Sequence, residues 1–338
     1  HAMTPYTTTT NGLQQAASGP EPLFYVYRPD LDYYLGPRHA GWRLPTDTLA
    51  KAETESANFF LLPEDLRRLQ IDLGIGAIRQ FASALPYYDR FPERHLFWSS
   101  HDDPCSPLPE SLFCKTSVSR QQIGTIISVP YLVDNFKQYC PFNPKQILWQ
   151  TCFVGYPGSS PLREQLLLAV AASKELLSHI DIAPKFHSHL DQITREKRRE
   201  NYLKKLTSSL TVLCPRGDGM NSIRFFETLS MGRIPVLISD DCVLPFEALI
   251  PYERFVIRIA ERDIIYAPEI ISRWIQQKSS DELAQRCREA RNSWEQLLAP
   301  ERVMQTLQRT LTSLHLNLNT PPTTVVASEA DLEQALSA

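Results

Sequence analysis

One segment of the chain, residues 211–247, limits the possible folds more than any other. It begins with a buried strand pattern, TVLC, which stops at Pro215-Arg216-Gly217-Asp218-Gly219. A helical pattern starts at Asn221, and a second apolar run, IPVLISDD, follows at residues 234–241. Two apolar runs separated by a glycine-containing loop and a helix predict a β-α-β unit, because parallel strands need a crossover connection.

The loop in front of this helix is typical of an anion-binding site. The first turn of a helix carries N–H groups without intrahelical partners and about half a positive charge, and both favour a phosphate. Arg216 and Arg224 flank that turn and would add charge. Glu227 can share the side of the helix on which Arg224 lies, where a carboxylate accepts hydrogen bonds from sugar hydroxyls. The segment therefore predicts a nucleotide ligand.

The same segment resembles the C-terminal signature of the exostosin family of glycosyltransferases, and the resemblance extends over about residues 23–300. The stretches that carry it are CPRGDGMNSIRFFE (214–227), GRIPVLISDD (232–241) and LPFE (244–247), with shorter matches at YVY (25–27), ANFFLLP (57–63), LPYYDR (85–90) and SHD (100–102). The resemblance implies the GT-B architecture, an α/β fold with two doubly wound Rossmann-like domains facing a cleft.

A member of this family is expected to be an inverting hexosyl- or glycuronosyltransferase that needs no metal ion or other cofactor. Its partners would be a nucleotide-sugar donor, most simply a UDP-sugar, and a glycan or other hydroxyl acceptor; a homodimer and a heterodimer are both compatible with this expectation. Each charge-assisted hydrogen bond to the donor diphosphate would contribute about 1.5–3 kcal/mol. The residues expected to bind the donor are Arg163, Arg216, Gly217, Ser222, Arg224, Glu227 and Asp240.

Other roles for these residues are compatible with their spacing. Arg216 and Arg224 also fit a surface role in which one of them pairs with Glu227. The pair Asp240-Asp241 ends the second strand, where one carboxylate either contacts the donor sugar or caps the next helix. Glu247 fits a structural role better than a ligand role.

Short apolar runs that alternate with helical patterns predict parallel sheets covered on both faces. Strands are expected at residues 23–27, 57–62, 95–100, 124–129 and 146–154, and helices at 67–85 and 162–177. The predicted organisation is a disordered segment 1–20, an acceptor-side domain 21–144, a donor-binding domain 145–300, and a C-terminal helix with a loose tail, 301–338. An amphipathic stretch at 280–298 is expected to close the second domain by packing back on the first.

Sugar transfer with inversion requires a base that accepts the proton of the acceptor hydroxyl, and the segment after the third predicted strand offers one. Ser100-His101-Asp102 resembles the family's His-Asp pair at this place, so Asp102 and His101 are the predicted catalytic residues. Glu64 and Asp65, after the second strand, are the reserve. A structural role is also compatible, with Asp102 capping a turn and His101 packing in the interior.

Two further motifs suggest metal sites, but such short matches are common by chance. Asp30-Leu31-Asp32 is a DxD, the manganese-binding pattern of GT-A glycosyltransferases, and it defines a metal-dependent alternative. His187 and His189 have no carboxylate or cysteine in ligand spacing and are expected to be surface residues. A non-catalytic alternative is an inert relative that binds a nucleotide or glycan as one partner of a synthase.

The composition argues against some classes of protein. A net charge of −3 without a long block of one sign does not fit a nucleic-acid-binding protein. The basic cluster at residues 195–199, REKRR, fits a solvated helix face. The seven cysteines form no CxxC pair and predict buried free thiols in a reducing compartment.

No run of about 18 apolar residues and no secretory signal is visible in the sequence. The expected location is therefore the cytoplasm, or the Golgi lumen for a protein trimmed of its membrane anchor.

Overall fold

The computed structural model describes residues 21–35, 43–122, 126–140, 142–183 and 191–319, with side chains as far as Thr312. The segment 1–20, most of the predicted tail, and the histidines at 187 and 189 lie outside the described residues. No described helix is both long and apolar enough to cross a membrane.

The first sheet contains five parallel strands that lie in sequential order. They are β1 (Phe24–Val26), β2 (Phe59–Asp65), β3 (His95–Ser99), β4 (Leu112–Lys115) and β5 (Ile126–Ser128). Between β2 and β3 the chain forms α1 (Arg67–Leu73) and α2 (Ile75–Ser83) instead of the single predicted helix. The break falls at Gly74, whose φ of 81° lies in the left-handed region that glycine adopts without steric cost.

The second sheet also contains five parallel strands, but its strand order reverses. The strands are β6 (Trp149–Gly155), β7 (Ser178–Ile182), β8 (Ser209–Pro215), β9 (Ile234–Ile238) and β10 (Ile257–Ile259), arranged β10-β9-β8-β6-β7. The connecting helices are α3 (Pro161–Ala172), α4 (Gln192–Thr207) and α5 (Ile223–Ser230), and α6 (Ala267–Gln276) follows β10. From β6 the chain moves to one side of the sheet, and from β8 to the other. The gap between the carboxyl ends of β6 and β8 is therefore a topological switch point, where ligands of such sheets bind.

The helices that start at this switch point cover opposite faces of the sheet, because successive strand side chains point to opposite faces. Phe153 and Leu213 are buried in one cluster with Leu166 of α3. Val212, the neighbour of Leu213, is buried in another cluster with Phe225 of α5. Burial of each such side chain contributes about 1.5–3 kcal/mol, which fixes both helix N-termini at the same edge of the sheet.

Two parallel α/β sheets confirm the predicted fold class, the GT-B type with two Rossmann-like units. Only the second sheet is doubly wound as predicted, because the strands of the first sheet lie in sequential order without a reversal. Loops at the carboxyl ends of the two sheets contact each other: the backbone N–H of Met220, after β8, donates to Ser117, after β4. The sequence did not predict β4, β7 or β10.

The last two helices both contact the predicted first domain, residues 21–144. Helix α7 (Ser280–Ser293) starts at a capping box formed by Ser279 and Glu282 and continues as a π-helical turn to Leu298. It packs against α5 and β9 of the second sheet, and its Arg291 donates to Asn135 Oδ1 at 2.8 Å, as expected of the closing stretch. Helix α8 (Pro300–Asn319) adds a contact at the start of the first sheet, where its Gln308 donates a hydrogen bond to Glu21 at 3.0 Å.

All seven cysteines are free thiols, and five of them are buried. Burial raises the pKa of Cys114, Cys152, Cys214, Cys242 and Cys287. These side chains therefore stay protonated at neutral pH and act as small apolar residues.

Candidate functional site

Two loops meet at the switch point of the second sheet, residues 155–160 after β6 and residues 215–222 after β8. Glycine leaves room in each of them for an arginine. A Cβ atom on Gly155, whose φ is +153°, would lie 2.5 Å from Nη2 of Arg224. A Cβ atom on Gly217 would lie 3.0 Å from Nη2 of Arg163. The predicted donor residues Arg163, Arg224 and Gly217 are thus brought together.

Arg163, in the first turn of α3, is held by backbone carbonyls. Its Nε donates to Arg216 O at 3.2 Å, its Nη1 to Tyr156 O at 3.1 Å, and its Nη2 to Pro215 O at 3.4 Å. Burial and the nearby Arg224 lower the pKa of Arg163 to about 10, so the guanidinium remains charged at neutral pH. No carboxylate among the described residues accepts a hydrogen bond from the Arg163 guanidinium.

Arg224, in the first turn of α5, is only 8% exposed and has fewer partners still. Its Nη2 donates to Val154 O at 2.9 Å, and its guanidinium lies 4.4 Å from the centre of the Phe153 ring. Its Nε and Nη1 are buried without a hydrogen-bond partner. Buried polar groups are nearly always hydrogen-bonded, and an unpaired buried charge is especially costly, so this side chain is arranged for an anionic ligand.

Further unpaired polar atoms surround the same place. Ser159 Oγ and Asn221 Nδ2 are both buried without a partner. Ser222 is the N-cap residue of α5, but its side chain does not cap the helix. The N–H of Phe225 donates to Ser222 O at 3.0 Å, and the first-turn N–H groups of Ile223 and Arg224 keep their binding capacity. Together with the two arginines, these groups offer hydrogen-bond donors from both loops to one anion.

Arg216 and Asp240, two other predicted donor ligands, are engaged elsewhere. Arg216 forms a two-pronged ion pair with Glu261, from Nε to Oε1 at 2.6 Å and from Nη2 to Oε2 at 3.0 Å, which lowers the pKa of Glu261. Asp240 Oδ1 accepts the backbone N–H of Glu261 at 2.8 Å. Arg216 therefore has the pairing role that its spacing also allowed, with a partner that the sequence did not indicate. Asp240 holds the residues after β10.

Glu227 is buried at 4% exposure, and both of its carboxylate oxygens have partners. Oε1 accepts from Nη1 of Arg199 at 2.5 Å, and Oε2 accepts from the hydroxyl of Tyr202. Both partners lie on α4, so the alternative role, in which Glu227 pairs with Arg216 or Arg224, is wrong. Arg199 belongs to the basic cluster at 195–199, and this member of the cluster has a specific partner.

We expect Glu227→Ala to lower the free energy of unfolding by about 1–3 kcal/mol, because the partly buried Tyr202 hydroxyl loses its acceptor and Arg199 its counterion. Urea denaturation measures this change. Glu200→Ala is the matched control. Glu200 also forms an ion pair, with Lys204 one turn along α4, but this pair lies on the exposed surface. Equal midpoints for Glu227→Ala and the wild type would contradict this role for the Glu227 carboxylate.

Asp102, the predicted base, lies where the first sheet faces the donor loop. Its Oδ1 accepts from the hydroxyl of Tyr131 at 2.9 Å, and its backbone carbonyl accepts from Ser117 Oγ at 2.7 Å. A Cβ atom on Gly219, in the loop after β8, would lie 2.9 Å from Asp102 Oδ1. The carboxylate of Asp102 thus contacts the second sheet's loop directly.

His101 is less suited to accept a proton. Its Nδ1 accepts the backbone N–H of Asp103 at 3.1 Å, so the neutral ring carries its proton on Nε2. Burial and the charge of Lys115 lower the pKa of His101, which favours this neutral form. Lys115 ends β4, and its Nζ is buried without a hydrogen-bond partner. Of the two predicted residues, Asp102 has the better geometry for a base.

The reserve residues Glu64 and Asp65 lie within β2, not after it as predicted, because the strand is three residues longer than its apolar run. Glu64 pairs with Arg43. Asp65 accepts from Ser100 Oγ at 2.5 Å and from the Ser100 backbone N–H at 2.9 Å. Both carboxylates therefore hold neighbouring backbone and side chains in place.

The DxD motif is part of a tight turn after β1. Asp32 accepts from the Tyr25 hydroxyl at 3.0 Å and from the Arg28 backbone N–H at 2.8 Å, and it pairs with the Arg28 guanidinium. Asp30 has a φ of 61°. Within the described ranges, no three His, Cys, Asp or Glu side chains are grouped as metal ligands.

A second contact between the sheets lies beside the site. Ser119 and Cys242 form an antiparallel bridge, and the Arg120 backbone N–H donates to Asp241 O at 2.7 Å. Glu247 pairs with Arg120 at 3.2 Å and with Arg258 at 3.0 Å, in the structural role expected of it.

Comparisons with known proteins agree with the resemblance in the sequence. The family model of the Exostosin GT47 domain matches residues 74–274, more than half of the chain. Exostosin-1 homolog of Caenorhabditis elegans is 42% identical over 76 residues, which are 22% of this chain and 20% of that protein. Exostosin-1 of Drosophila melanogaster is 41% identical over 81 residues, 24% of this chain and 11% of that protein.

A plant relative, probable beta-1,4-xylosyltransferase IRX10 of Arabidopsis thaliana, is 40% identical over 63 residues, 19% of this chain and 15% of that protein. The matches with these three relatives span at most a fifth of their lengths. A structural alignment with TarM has a TM-score of 0.36 at 11% identity and covers 67% of this chain and 56% of that chain; a similarity this weak bears on neither fold nor function. On the match to the family model, the chain belongs to the exostosin GT47 family of glycosyltransferases.

Proposed function

We propose that the chain transfers a sugar from a nucleotide-sugar donor, a UDP-sugar in the simplest case, to a hydroxyl of a glycan or other acceptor. The transfer inverts the anomeric centre and uses no metal ion. The observation that carries the proposal is Arg224, a nearly buried cation with two unpaired nitrogens at the N-terminus of α5. Among biological anions, the diphosphate of an activated sugar matches a site formed from two cations and a helix N-terminus.

The second sheet then binds the leaving group. The diphosphate accepts hydrogen bonds from Arg224 and from first-turn N–H groups of α5, with Arg163 on the opposite side. As the bond from the anomeric carbon to the diphosphate breaks, its electrons go to the diphosphate oxygen, and the preorganised positive charge stabilises them. The two arginines supply the charge that a metal ion would otherwise contribute.

The first sheet supplies the base. The acceptor hydroxyl attacks the anomeric carbon from the face opposite the diphosphate, and its proton passes to the Asp102 carboxylate, which must lie within about 2.6–3.2 Å of that oxygen. A single displacement of this kind inverts the configuration. In this division, residues 21–144 form the acceptor side and residues 145–300 the donor side.

Two carboxylates are proposed as additional donor contacts. Each oxygen of Glu227 has two lone pairs, so a ribose hydroxyl can donate to it while Arg199 and Tyr202 remain bound. Asp240 is exposed beside the carboxyl end of β9 and is proposed to contact the donor sugar.

A thermal-shift panel of UDP-, GDP- and CMP-sugars tests the donor class. We expect UDP-sugars to raise the melting temperature most, because a ligand at one hundred times its Kd stabilises the native state by about 2.7 kcal/mol. The Arg224→Met variant is the control, and its melting temperature should rise less than that of the wild type at the same ligand concentration. A panel in which no nucleotide sugar shifts the wild type would contradict the proposal.

Excess EDTA tests the metal-dependent alternative that uses Asp30 and Asp32. We expect sugar transfer by the purified chain to continue at the same rate, because the proposed charge stabilisation comes from arginines and a helix N-terminus. Loss of transfer that returns when Mn²⁺ is added in excess would favour the alternative, and Asp32→Asn would then show whether the DxD motif is responsible.

A further inference from the structure

One buried hydroxyl joins the proposed donor loop to the proposed base. Ser117 lies two residues after β4 and is inaccessible to solvent. Its Oγ donates to the backbone carbonyl of Asp102 at 2.7 Å and accepts the backbone N–H of Met220 at 2.9 Å. A hydroxyl has one donor and two acceptor positions, so both bonds can form at once.

The packing around this hydroxyl leaves little freedom. A Cβ atom on Gly219, the neighbour of Met220, would lie 3.0 Å from Ser117 Oγ and 2.9 Å from Asp102 Oδ1. Tyr131, which donates to the Asp102 carboxylate, has its ring 6.0 Å from that of Phe226 on α5. The backbone and the side chain of Asp102 are therefore both tied to elements of the second sheet.

We propose that Ser117 is a positioning residue that couples the donor loop, residues 215–222, to the orientation of Asp102. The inference rests on the proposed function. Binding of the diphosphate fixes the position of the donor loop and of the Met220 N–H. Because Ser117 is hydrogen-bonded to both this N–H and the carbonyl of Asp102, the position of Asp102 is fixed as well. The base is thus held at its working place when a donor is bound, and by linkage the same contact orders the donor loop.

The first test compares Ser117→Ala with Ser128→Ala. Ser128 is a matched control, because its buried Oγ also joins the two sheets, donating to Val243 O at 2.8 Å, but it does not contact Asp102 or the donor loop. We expect Ser117→Ala to lower kcat for sugar transfer by about ten- to hundredfold, because misplacing a catalytic group by about 1 Å has an effect of this size. It should also raise the donor KM by a smaller factor, because the donor loop loses a contact that orders it. Ser128→Ala should leave both constants near the wild-type values.

A double-mutant cycle separates positioning from a general loss of structure. In an Asp102→Asn background, where the base is absent, Ser117→Ala should lower kcat no further, because residues that act as one unit are not additive. Equal effects in both backgrounds, or a wild-type kcat for Ser117→Ala, would overturn the inference.

Hydrogen exchange gives a readout that needs no activity. We expect Ser117→Ala to speed amide exchange in residues 216–222 and in residues 100–103 together, and Ser128→Ala to speed neither. Ser117→Cys, which keeps a weak donor of similar size, should show smaller changes and serves if the alanine variant does not fold. Faster exchange in one loop alone would contradict the coupling. If the wild type binds no nucleotide sugar, the proposed function fails, and the exchange result still decides whether the two loops are coupled.

Discussion

Replacing Arg224 with methionine is expected to weaken UDP binding by about ten- to hundredfold, because one or two charge-assisted hydrogen bonds of about 1.5 kcal/mol each are lost. The same change should leave the free energy of unfolding of the ligand-free protein unchanged or raise it by about 1 kcal/mol. Arg224 has two nitrogens buried without partners, and removing a buried unpaired charge relieves a desolvation penalty. Calorimetric titration with UDP measures the affinity, and urea denaturation measures the free energy of unfolding.

Arg233→Met is the matched control for this prediction. Arg233 is also buried, at 1% exposure, but each of its three nitrogens donates to a backbone carbonyl, of Thr207, Met231 or Gly232. Its removal should therefore lower the free energy of unfolding by at least about 2 kcal/mol and leave the UDP affinity of the folded protein unchanged. A destabilised Arg224→Met with wild-type UDP affinity would show that Arg224 is structural.

Asp102→Asn is expected to lower kcat for sugar transfer by about a hundred- to ten-thousandfold, the range that general base catalysis contributes. The amide oxygen can still accept from Tyr131, and the backbone carbonyl can still accept from Ser117, so the loop should keep its conformation. UDP affinity should therefore stay within about twofold of the wild type, a free-energy change of about 0.4 kcal/mol. Steady-state kinetics measure the loss of kcat, and calorimetric titration measures the UDP affinity.

His101→Gln provides the comparison. Because Nδ1 of His101 already accepts a backbone N–H, this side chain is not free to take a proton there, and its replacement should reduce kcat much less than Asp102→Asn. A larger loss for His101→Gln than for Asp102→Asn would assign the base to His101 and contradict the geometry.

The sequence predicted the switch-point unit well. The predicted strand at 211–214 lies within β8, Ser209–Pro215, and the predicted helix start at Asn221 is two residues before the start of α5. This accuracy has a local cause: the runs around the loop are mostly apolar, and Pro215, Gly217 and Gly219 interrupt them.

The strands that the sequence did not reveal are short or polar. β10 has only three residues, β7 reads SHIDI, and β4 ends in the charged Lys115. Missing these strands also hid residues after their carboxyl ends that contact the candidate site. Ser117 follows β4, and Glu261, the partner of Arg216, follows β10.

Ion pairs across the fold were the other part that could not be predicted. Glu227 and Arg199 lie 28 positions apart, and they meet only because α4 packs beside β8 and β6. Spacing within one helix allowed Arg224 as a partner of Glu227, whereas tertiary packing turns Arg224 toward β6. Periodicity reports which face of a helix is buried, but not which helix lies against it.

The most direct measurement of the central claim is a crystal structure of the chain with UDP. We expect diphosphate oxygens within about 2.7–2.9 Å of the free guanidinium nitrogens of Arg224 and beside the first-turn N–H groups of α5. A structure in which UDP is bound but its diphosphate lies out of reach of Arg224 and of this helix N-terminus would show that α5 does not form the donor site.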